Sequence, residues 1–243
     1  MMLQEEISIP CPINGFQISP APHQKLAEIF EVIKNDLENG RITNCSIMHI
    51  SQTYFVQHRR VYDFFSLMTA LGACKCISSG RFQWEGLDKI KETIKEYYAS
   101  FEVESLNKSS IKVLFGFGKS PSLGRLAKNF ICLFLFLGVK HLQMQKVVKL
   151  LHDRKSDVKS IERRMYIVLK FLTVIGLIDH TNNPSEYEIL FDPTEIIEYG
   201  ILKRRACLEG NFVISIETLL NGVDQSFLKN LYFQRALEFK KVF

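Results

Sequence analysis

The stretch "RRVYDFFSLMTALGACK", residues 59–75, decides the fold that this sequence predicts. Its apolar residues recur every three or four positions, which is the spacing of one buried helix face. These residues are Val61, Phe64, Phe65, Met68 and Leu71. Gly72 follows, and glycine commonly ends a helix because it tolerates a left-handed backbone. The pattern predicts a buried helix that begins near Tyr54, ends at Gly72 and carries Arg59 and Arg60.

The same pattern occurs a second time in the chain. The stretch "RRMYIVLKFLTVIGLID", residues 163–179, aligns with the first without a gap, at an offset of 104 residues (59 to 163). The aligned pairs include Arg59 with Arg163, Arg60 with Arg164, Tyr62 with Tyr166 and Gly72 with Gly176. Repeats of solenoid proteins are much shorter than this offset. The repeat therefore predicts two copies of one small domain.

Each copy shows the same order of predicted elements. The first contains a helix opened by Pro22, a short helix around Ser46 to Thr53, the long helix, and two short strands joined by Ser-Ser-Gly. The second copy contains helices over 120–137, 142–153 and 158–176 and a hairpin over 177–191 that turns at Asn182 to Pro184. Helix, helix, helix, hairpin is the order of a winged-helix domain, a variant of the helix-turn-helix.

The predicted fold is therefore mostly α with small β-hairpins (α+β), in two tandem winged-helix domains. The first domain covers residues 20–86, and residues 87–110 form a connecting helix and linker. The second, divergent domain covers residues 120–192, and residues 193–243 form a helical C-terminal extension.

The amino-acid composition limits the classes of function that the chain could have. The 243 residues are 47% apolar, which supplies a packed core, and the net charge of +5 permits a nucleic-acid partner without requiring one. The six cysteines lack the two-residue spacing of a zinc knuckle, so we expect reduced, mostly buried thiols of an intracellular protein and no metal site. The apolar run Phe130 to Val139 is half the length of a membrane helix and predicts a core helix, so we expect no membrane partner.

Enzymatic motifs are absent from the sequence. It contains no phosphate-binding loop with the correct glycine spacing, no nucleophile elbow and no histidine pair at metal-ligand spacing. We therefore expect no enzyme, no catalytic residue, no cofactor and no small-molecule substrate.

Two segments leave alternatives open. In residues 87–106 the apolar side chains alternate by three and four, which fits either a helix that packs onto its own domain or a short coiled-coil seam that pairs with another helix. They are Leu87, Ile90, Ile94, Tyr97 and Phe101. The "KRR" at 203–205 fits either a solvated helix end or a nuclear-import patch.

With these residues in view, the chain resembles a family of cell-cycle transcription factors, the adenovirus early-promoter-binding factors and their dimerisation partners, the DP proteins. The resemblance lies in "RRVYD" at 59–63, the apolar helix to Gly72 and "RFQW" at 81–84. The second copy is similar in "RRMY" at 163–166 and in "SLGRLAKNFICLF" from Ser122. Two such domains in one chain resemble the atypical members, which carry both halves of a dimer in one polypeptide.

The resemblance implies a nuclear protein that binds double-stranded DNA and regulates transcription in the cell cycle. It implies that Arg59 and Arg60 recognise guanines of a GC-rich site, as arginine does bidentately in the major groove. Asp63 shares their helix face and would orient an arginine. Tyr62 would pack and contact phosphate. The remaining phosphate contacts of the first copy would come from His58, Lys75 and Arg81.

The second copy departs from the family pattern. Ile167 stands where the family has aspartate, and the hairpin contains glutamates but no lysine or arginine. Phosphate affinity depends on cations, so this hairpin offers little of it. We expect the second copy to pack beside the first and to contact a half-site weakly through Arg163, Arg164 and Tyr166. The alternative is a degenerate winged-helix pair that serves as a protein-interaction subunit of a nuclear complex, with a DP-like or other protein partner.

Overall fold

The computed structural model describes residues 26–42, 45–107, 110–152, 157–210, 214 and 222–240. The described chain is mostly helical with two small antiparallel sheets, so the predicted α+β class is confirmed. Pro22, which was predicted to open the first helix, and Cys11 lie outside the described residues.

The described residues of the first copy form six elements. They are α1 (Leu26–Glu38), β1 (Cys45–Ser46), α2 (Ile47–Thr53), α3 (His58–Ala70), β2 (Cys74–Ser78) and β3 (Arg81–Trp84). The strands form an antiparallel sheet in the order β1-β3-β2, with Cys74 opposite Trp84 and Cys45 opposite Phe82. The side chain of Trp84 ties this sheet to the end of α1, because its indole Nε1 donates to Glu38 Oε1 at 2.7 Å.

The second copy has the same elements in the same order. After α4 (Lys89–Glu104) and the short α5 (Ile111–Phe115), they are α6 (Leu123–Leu137), β4 (His141–Gln143), α7 (Met144–Leu151), α8 (Val158–Val174), β5 (Ile178–His180) and β6 (Glu186–Ile189). Its sheet has the matching order β4-β6-β5. The helices that the structure describes after this sheet are α9 (Thr194–Leu208) and α10 (Gln225–Lys240).

Local structure corrects two sequence predictions and adds short elements that were not predicted. The long helix of the first copy begins at His58 and not near Tyr54. Phe55 has a left-handed φ of 52°, which breaks the helical backbone between α2 and α3. Leu142 and Gln143 belong to β4 and not to a helix, since they pair with Tyr187 and Glu186. The short strands β1 and β4 and the helix α5 were not predicted, because segments this short carry no periodicity.

The predicted glycine stops are confirmed in both copies. Gly72 and Gly176 have φ values of 86° and 73°, the left-handed conformation that only glycine adopts without strain. After each glycine the next amide donates back into the last helical turn, Ala73 N to Met68 O at 2.9 Å and Leu177 N to Leu172 O at 3.0 Å. These bonds form the same Schellman motif twice.

The two copies share one hydrophobic core. Phe171 of α8 packs edge-on against Phe30 of α1 and Phe64 of α3, with ring centroids 4.8 Å and 5.4 Å apart. In the reciprocal contact, α6 of the second copy lies against α3 of the first at Gly124. A Cβ atom on Gly124 would lie 2.1 Å from the Cβ of Ala70, so the absence of a side chain permits this close approach.

The helices that follow the two hairpins, α4 and α9, pair with each other. Lys91 forms an ion pair with Glu195, Tyr199 donates to Glu96 at 2.7 Å, and Arg204 lies 4.0 Å from Glu102. Residue numbers increase together along both helices, so the pair is parallel. The pairing alternative is therefore realised within the chain, and α4 also packs onto its own domain, since a Cβ on Gly72 would lie 2.1 Å from Thr93 Oγ1.

The C-terminal helix α10 closes over this pair through a buried ion pair. Arg235 donates to both carboxylate oxygens of Glu102, at 2.9 Å and 2.6 Å, and to Phe136 O at 3.1 Å. Tyr98 also donates to Glu102. Burial, together with the neighbouring Glu102 carboxylate, raises the pKa of Tyr98, so the phenol keeps the proton that it donates.

The basic run 203–205 is part of the same packing. Lys203 lies 5.9 Å from the ring centre of Tyr199, and the Arg204 side chain is 22% exposed beside Glu102. All three residues of the run are at least half-buried. The basic run therefore lies at a partly covered helix end, where Arg204 is beside Glu102 of α4.

The apolar run of α6 lies in the core, as predicted. All residues from Phe130 to Leu137 are buried. Among the described helices, none combines the length and the apolar character that crossing a bilayer requires.

The close approach of α6 and α3 yields a stability prediction. Gly124→Ala would place its methyl group against Ala70, and overpacking of this kind costs about 1–3 kcal/mol of unfolding free energy. Ala70→Gly removes the obstructing Cβ and leaves the Ala70 Cα position at 3.7 Å. We expect the double variant to be more stable than Gly124→Ala alone in urea unfolding. Strictly additive effects of the two substitutions would contradict the contact.

The buried ion pair yields a second stability prediction. Arg235→Met leaves the Glu102 carboxylate buried without its bidentate partner, which typically costs about 3–5 kcal/mol. Adding Glu102→Gln removes the buried charge and should recover part of this loss. Thermal and urea unfolding of the single and double variants measure both effects. A double variant that is less stable than Arg235→Met would show that the carboxylate has another partner of equal weight.

Candidate nucleic-acid interface

The four arginines of the repeated motif line one cleft. Its volume is about 580 Å³, and α3 and α8 form its walls while the start of α6 closes one end. We call it the arginine cleft. Its lining residues are Arg59, Arg60, Asp63, Ser120, Leu123, Ser160, Arg163, Arg164 and Ile167.

Cross-packing of the copies brings the arginines together. Because α1 packs on α8 and α6 packs on α3, the two long helices lie in one shared core with their arginine-bearing segments at the same cleft. Equivalent residues also have equivalent exposure. Arg59 and Arg163 are exposed, whereas Arg60 and Arg164 are half-buried. The cleft thus presents two outer and two inner guanidinium groups, a strongly cationic arrangement.

One inner arginine is held by a carboxylate. Arg60 donates to Asp63 Oδ2 at 2.8 Å, one helical turn further along α3. Both side chains are largely shielded, with 29% and 17% exposure, so the pair restricts the Arg60 rotamer. This bond is the one that the sequence predicted for Asp63.

The other inner arginine has no such partner. Ile167 occupies the position of Asp63 in the second copy and cannot accept a hydrogen bond. Across the part of the chain that the structure describes, Arg164 makes no hydrogen bond or ion pair. The two halves of the cleft therefore differ in charge and in the freedom of their inner arginine.

The two tyrosines of the motif lie outside the cleft lining. Tyr62 and Tyr166 are 53% and 46% exposed, which places them on the surface beside the arginines and not in the core. The Tyr166 hydroxyl lies 3.4 Å from Ser185 Oγ at the turn of the second hairpin. Tyr62 is thus a surface residue, and it is not among the partly buried side chains that pack against the core.

The cations predicted to contact phosphate surround the first copy without lining the cleft. His58 is the exposed first residue of α3, and Arg81 is exposed at the start of β3. Lys75 donates to Glu85 Oε2 across the hairpin at 2.8 Å, but its side chain is 71% exposed. An exposed pair of this kind is weak and exchanges readily with another anion.

The hairpin of the second copy is acidic, in agreement with its sequence. Asn183 and Thr181 donate to Glu186, and these hydrogen bonds lower the pKa of its carboxyl group. Glu188 lies 3.9 Å from His141 on the neighbouring strand. Glu186 is thus held in its charged form, so this hairpin repels a phosphate backbone where the first hairpin offers Arg81.

Sequence reasoning found the arginines but missed their convergence. It expected the second copy to pack beside the first and to contact its own half-site, and it did not include Ser120, Leu123 or Ser160 in any site. The sequence contained one indication of this convergence. The offset of 104 residues between the two copies also separates Lys91 from Glu195, which form an ion pair between α4 and α9. The repeat thus continues into α4 and α9, and the pairing of these equivalent helices indicates that the two copies face each other.

Five of the six cysteines lie among the described residues. Cys45, Cys74 and Cys132 are buried free thiols, Cys76 is exposed and Cys207 is half-buried. Burial raises the pKa of Cys45, Cys74 and Cys132, which keeps these thiols protonated. Within the described ranges, no three histidine, cysteine or acidic side chains are grouped so that they could hold a metal ion.

No protein-family model and no curated protein matches this chain. The arginine cleft is therefore the observation on which we base a function.

Proposed function

We propose that the chain is a sequence-specific double-stranded DNA-binding protein that regulates transcription in the nucleus. Two tandem winged-helix domains bind a short GC-rich site, and α3 of the first domain makes the principal base contacts through Arg59 and Arg60. The proposal includes the cell-cycle role that the family resemblance implies.

The observation that carries the proposal is the arginine cleft. An α-helix fits the major groove of B-DNA, and arginine pairs bidentately with guanine O6 and N7 there. Two long helices present two arginines each to a single cleft, with one exposed arginine in each pair. Several cationic side chains at one cleft also supply the counterion release that drives nucleic-acid binding.

The order of strands and helices supports the winged-helix part of the proposal. In each copy a third helix is followed by a two-stranded hairpin, and a short strand before the second helix completes the sheet. In the helix-turn-helix class, the corresponding helix enters the major groove. The hairpin of the first copy, with Arg81 and Lys75, then lies beside the phosphate backbone as a wing.

The shared cleft implies a compact DNA site. Helix-turn-helix dimers usually hold their recognition helices about 34 Å apart, one turn of DNA. Here both arginine pairs line one cleft of about 580 Å³, so they meet one contiguous run of base pairs. One chain then contacts both halves of the site, and the Asp63-oriented Arg60 makes the first half the stronger one.

A second candidate function is a protein-interaction subunit of a nuclear complex. The observation that favours it is the outer face of α10, where Phe227, Phe233 and Leu237 are 41%, 61% and 39% exposed. The acidic second hairpin is consistent with it as well. In this case the arginine cleft would bind no preferred DNA sequence.

Base recognition by Arg59 is tested with fluorescence anisotropy. A GC-core duplex and a scrambled duplex of equal length are titrated with the purified chain at two salt concentrations. We expect preference for the GC core, and we expect Arg59→Ala to cost about 1–3 kcal/mol of binding, concentrated at one base pair. Arg41→Ala is the matched control, because Arg41 is 74% exposed at the end of α1, outside the cleft. Equal and weak binding of both duplexes would favour the protein-interaction function.

Phosphate contact by Arg81 has a different signature in the same assay. Arg81 is exposed on the first hairpin. Because a phosphate contact carries no sequence information, Arg81→Ala should weaken all duplexes alike and should reduce the slope of log affinity against log salt by about one. A change in sequence preference, with the salt slope unchanged, would exclude this role for Arg81.

A further inference from the structure

Ile167 lines the arginine cleft but has no role in guanine recognition. Ile167 packs against the core on one side and lines the cleft on the other, together with Arg163 and Arg164. It follows Arg163 by four residues and Arg164 by three, so all three side chains lie on one face of α8. A base contacted by these arginines therefore has a neighbour within reach of Ile167.

The equivalent position in the first copy has the opposite chemistry. Asp63 is a carboxylate, which can accept a hydrogen bond from the N4 amino group of cytosine or, as here, from Arg60. The Ile167 side chain can neither accept nor donate a hydrogen bond. In the major groove the apolar group that base pairs present to an aliphatic side chain is the C5-methyl group of a pyrimidine.

We infer that Ile167 is a specificity-determining residue that selects a pyrimidine with a C5-methyl group, thymine or 5-methylcytosine, in the half of the DNA site that α8 contacts. This inference rests on the proposed function. The second half-site then differs from the first, since α8 carries the aliphatic Ile167 where α3 carries the Asp63 carboxylate. The chain thus recognises an asymmetric site, with guanine contacts in both halves and a methyl contact in one.

The asymmetry of the inner arginines agrees with this inference. Arg60 is held by Asp63, whereas Arg164 has no hydrogen-bond partner among the residues that the structure describes. An untethered arginine gains less from preorganisation on docking. An added apolar contact one turn further along α8 would compensate for part of that loss.

The test compares duplexes that differ by methyl groups alone. Arg163→Ala and Arg164→Ala first locate the second half-site, as the base pairs at which these variants change the preference of the chain. Each pyrimidine of that half-site is then varied in two arms, thymine against deoxyuridine and 5-methylcytosine against cytosine. Burial of one methyl group corresponds to about fourfold in affinity, so we expect the methylated duplex to bind about fourfold more tightly at one position.

Three variants assign the effect to Ile167. We expect Ile167→Val to keep the preference, because it retains branched aliphatic contact, and Ile167→Asp to abolish it. Since Ile167 also packs against the core, Ile167→Asp is a risk for folding. Ile167→Ala removes most of the contact without introducing charge, and its preference should fall below about twofold. Urea unfolding of each variant verifies that a folded protein is compared.

The outcomes separate this inference from the proposed function. A preference in the thymine arm, in the 5-methylcytosine arm or in both supports it and identifies the natural source of the methyl group. Guanine preference that depends on Arg163 and Arg164, with equal affinity for methylated and unmethylated duplexes, overturns the inference and leaves the proposed function standing. A methyl preference that persists in Ile167→Ala also overturns it. A wild-type chain that prefers no duplex overturns both.

Discussion

The structure depends on the cross-packing of its two copies. Phe171 of the second copy packs against both Phe30 and Phe64 of the first, and α6 approaches α3 closely enough that Gly124 has no room for a side chain. Neither copy has a complete core without the other. The same contacts determine where α3 and α8 lie, and so they bring four arginines to one cleft.

A second layer of packing sets the register of the copies. The helices α4 and α9 run parallel, and α10 covers them with the Arg235 and Glu102 ion pair. A buried ion pair usually adds little net stability, because desolvation offsets the attraction. Its geometry is demanding, however, since two guanidinium nitrogens meet two carboxylate oxygens. It therefore favours one arrangement of the three helices over alternatives with the same apolar contacts.

The copies share an architecture but differ in chemistry. The first combines a carboxylate-oriented arginine with a hairpin that carries Arg81, whereas the second combines an untethered arginine and Ile167 with the Glu186 carboxylate. A homodimer would have to present identical halves. A single chain with an internal repeat is free of this constraint, so each half of the cleft can acquire its own preference.

Local sequence was sufficient for the elements and for the candidate residues. The helix face from Val61 to Leu71, the Gly72 and Gly176 stops, the hairpins and the Arg60 contact to Asp63 all follow from spacings within a few residues, where backbone geometry leaves few alternatives. The start of α3 and the strands β1 and β4 could not be predicted from the sequence. One left-handed residue, Phe55, and strands of two or three residues produce no periodic pattern. Tertiary structure alone decided that α4 pairs with α9 and that both arginine pairs line one cleft, because these contacts join residues about a hundred positions apart, and only packing of the whole core selects them.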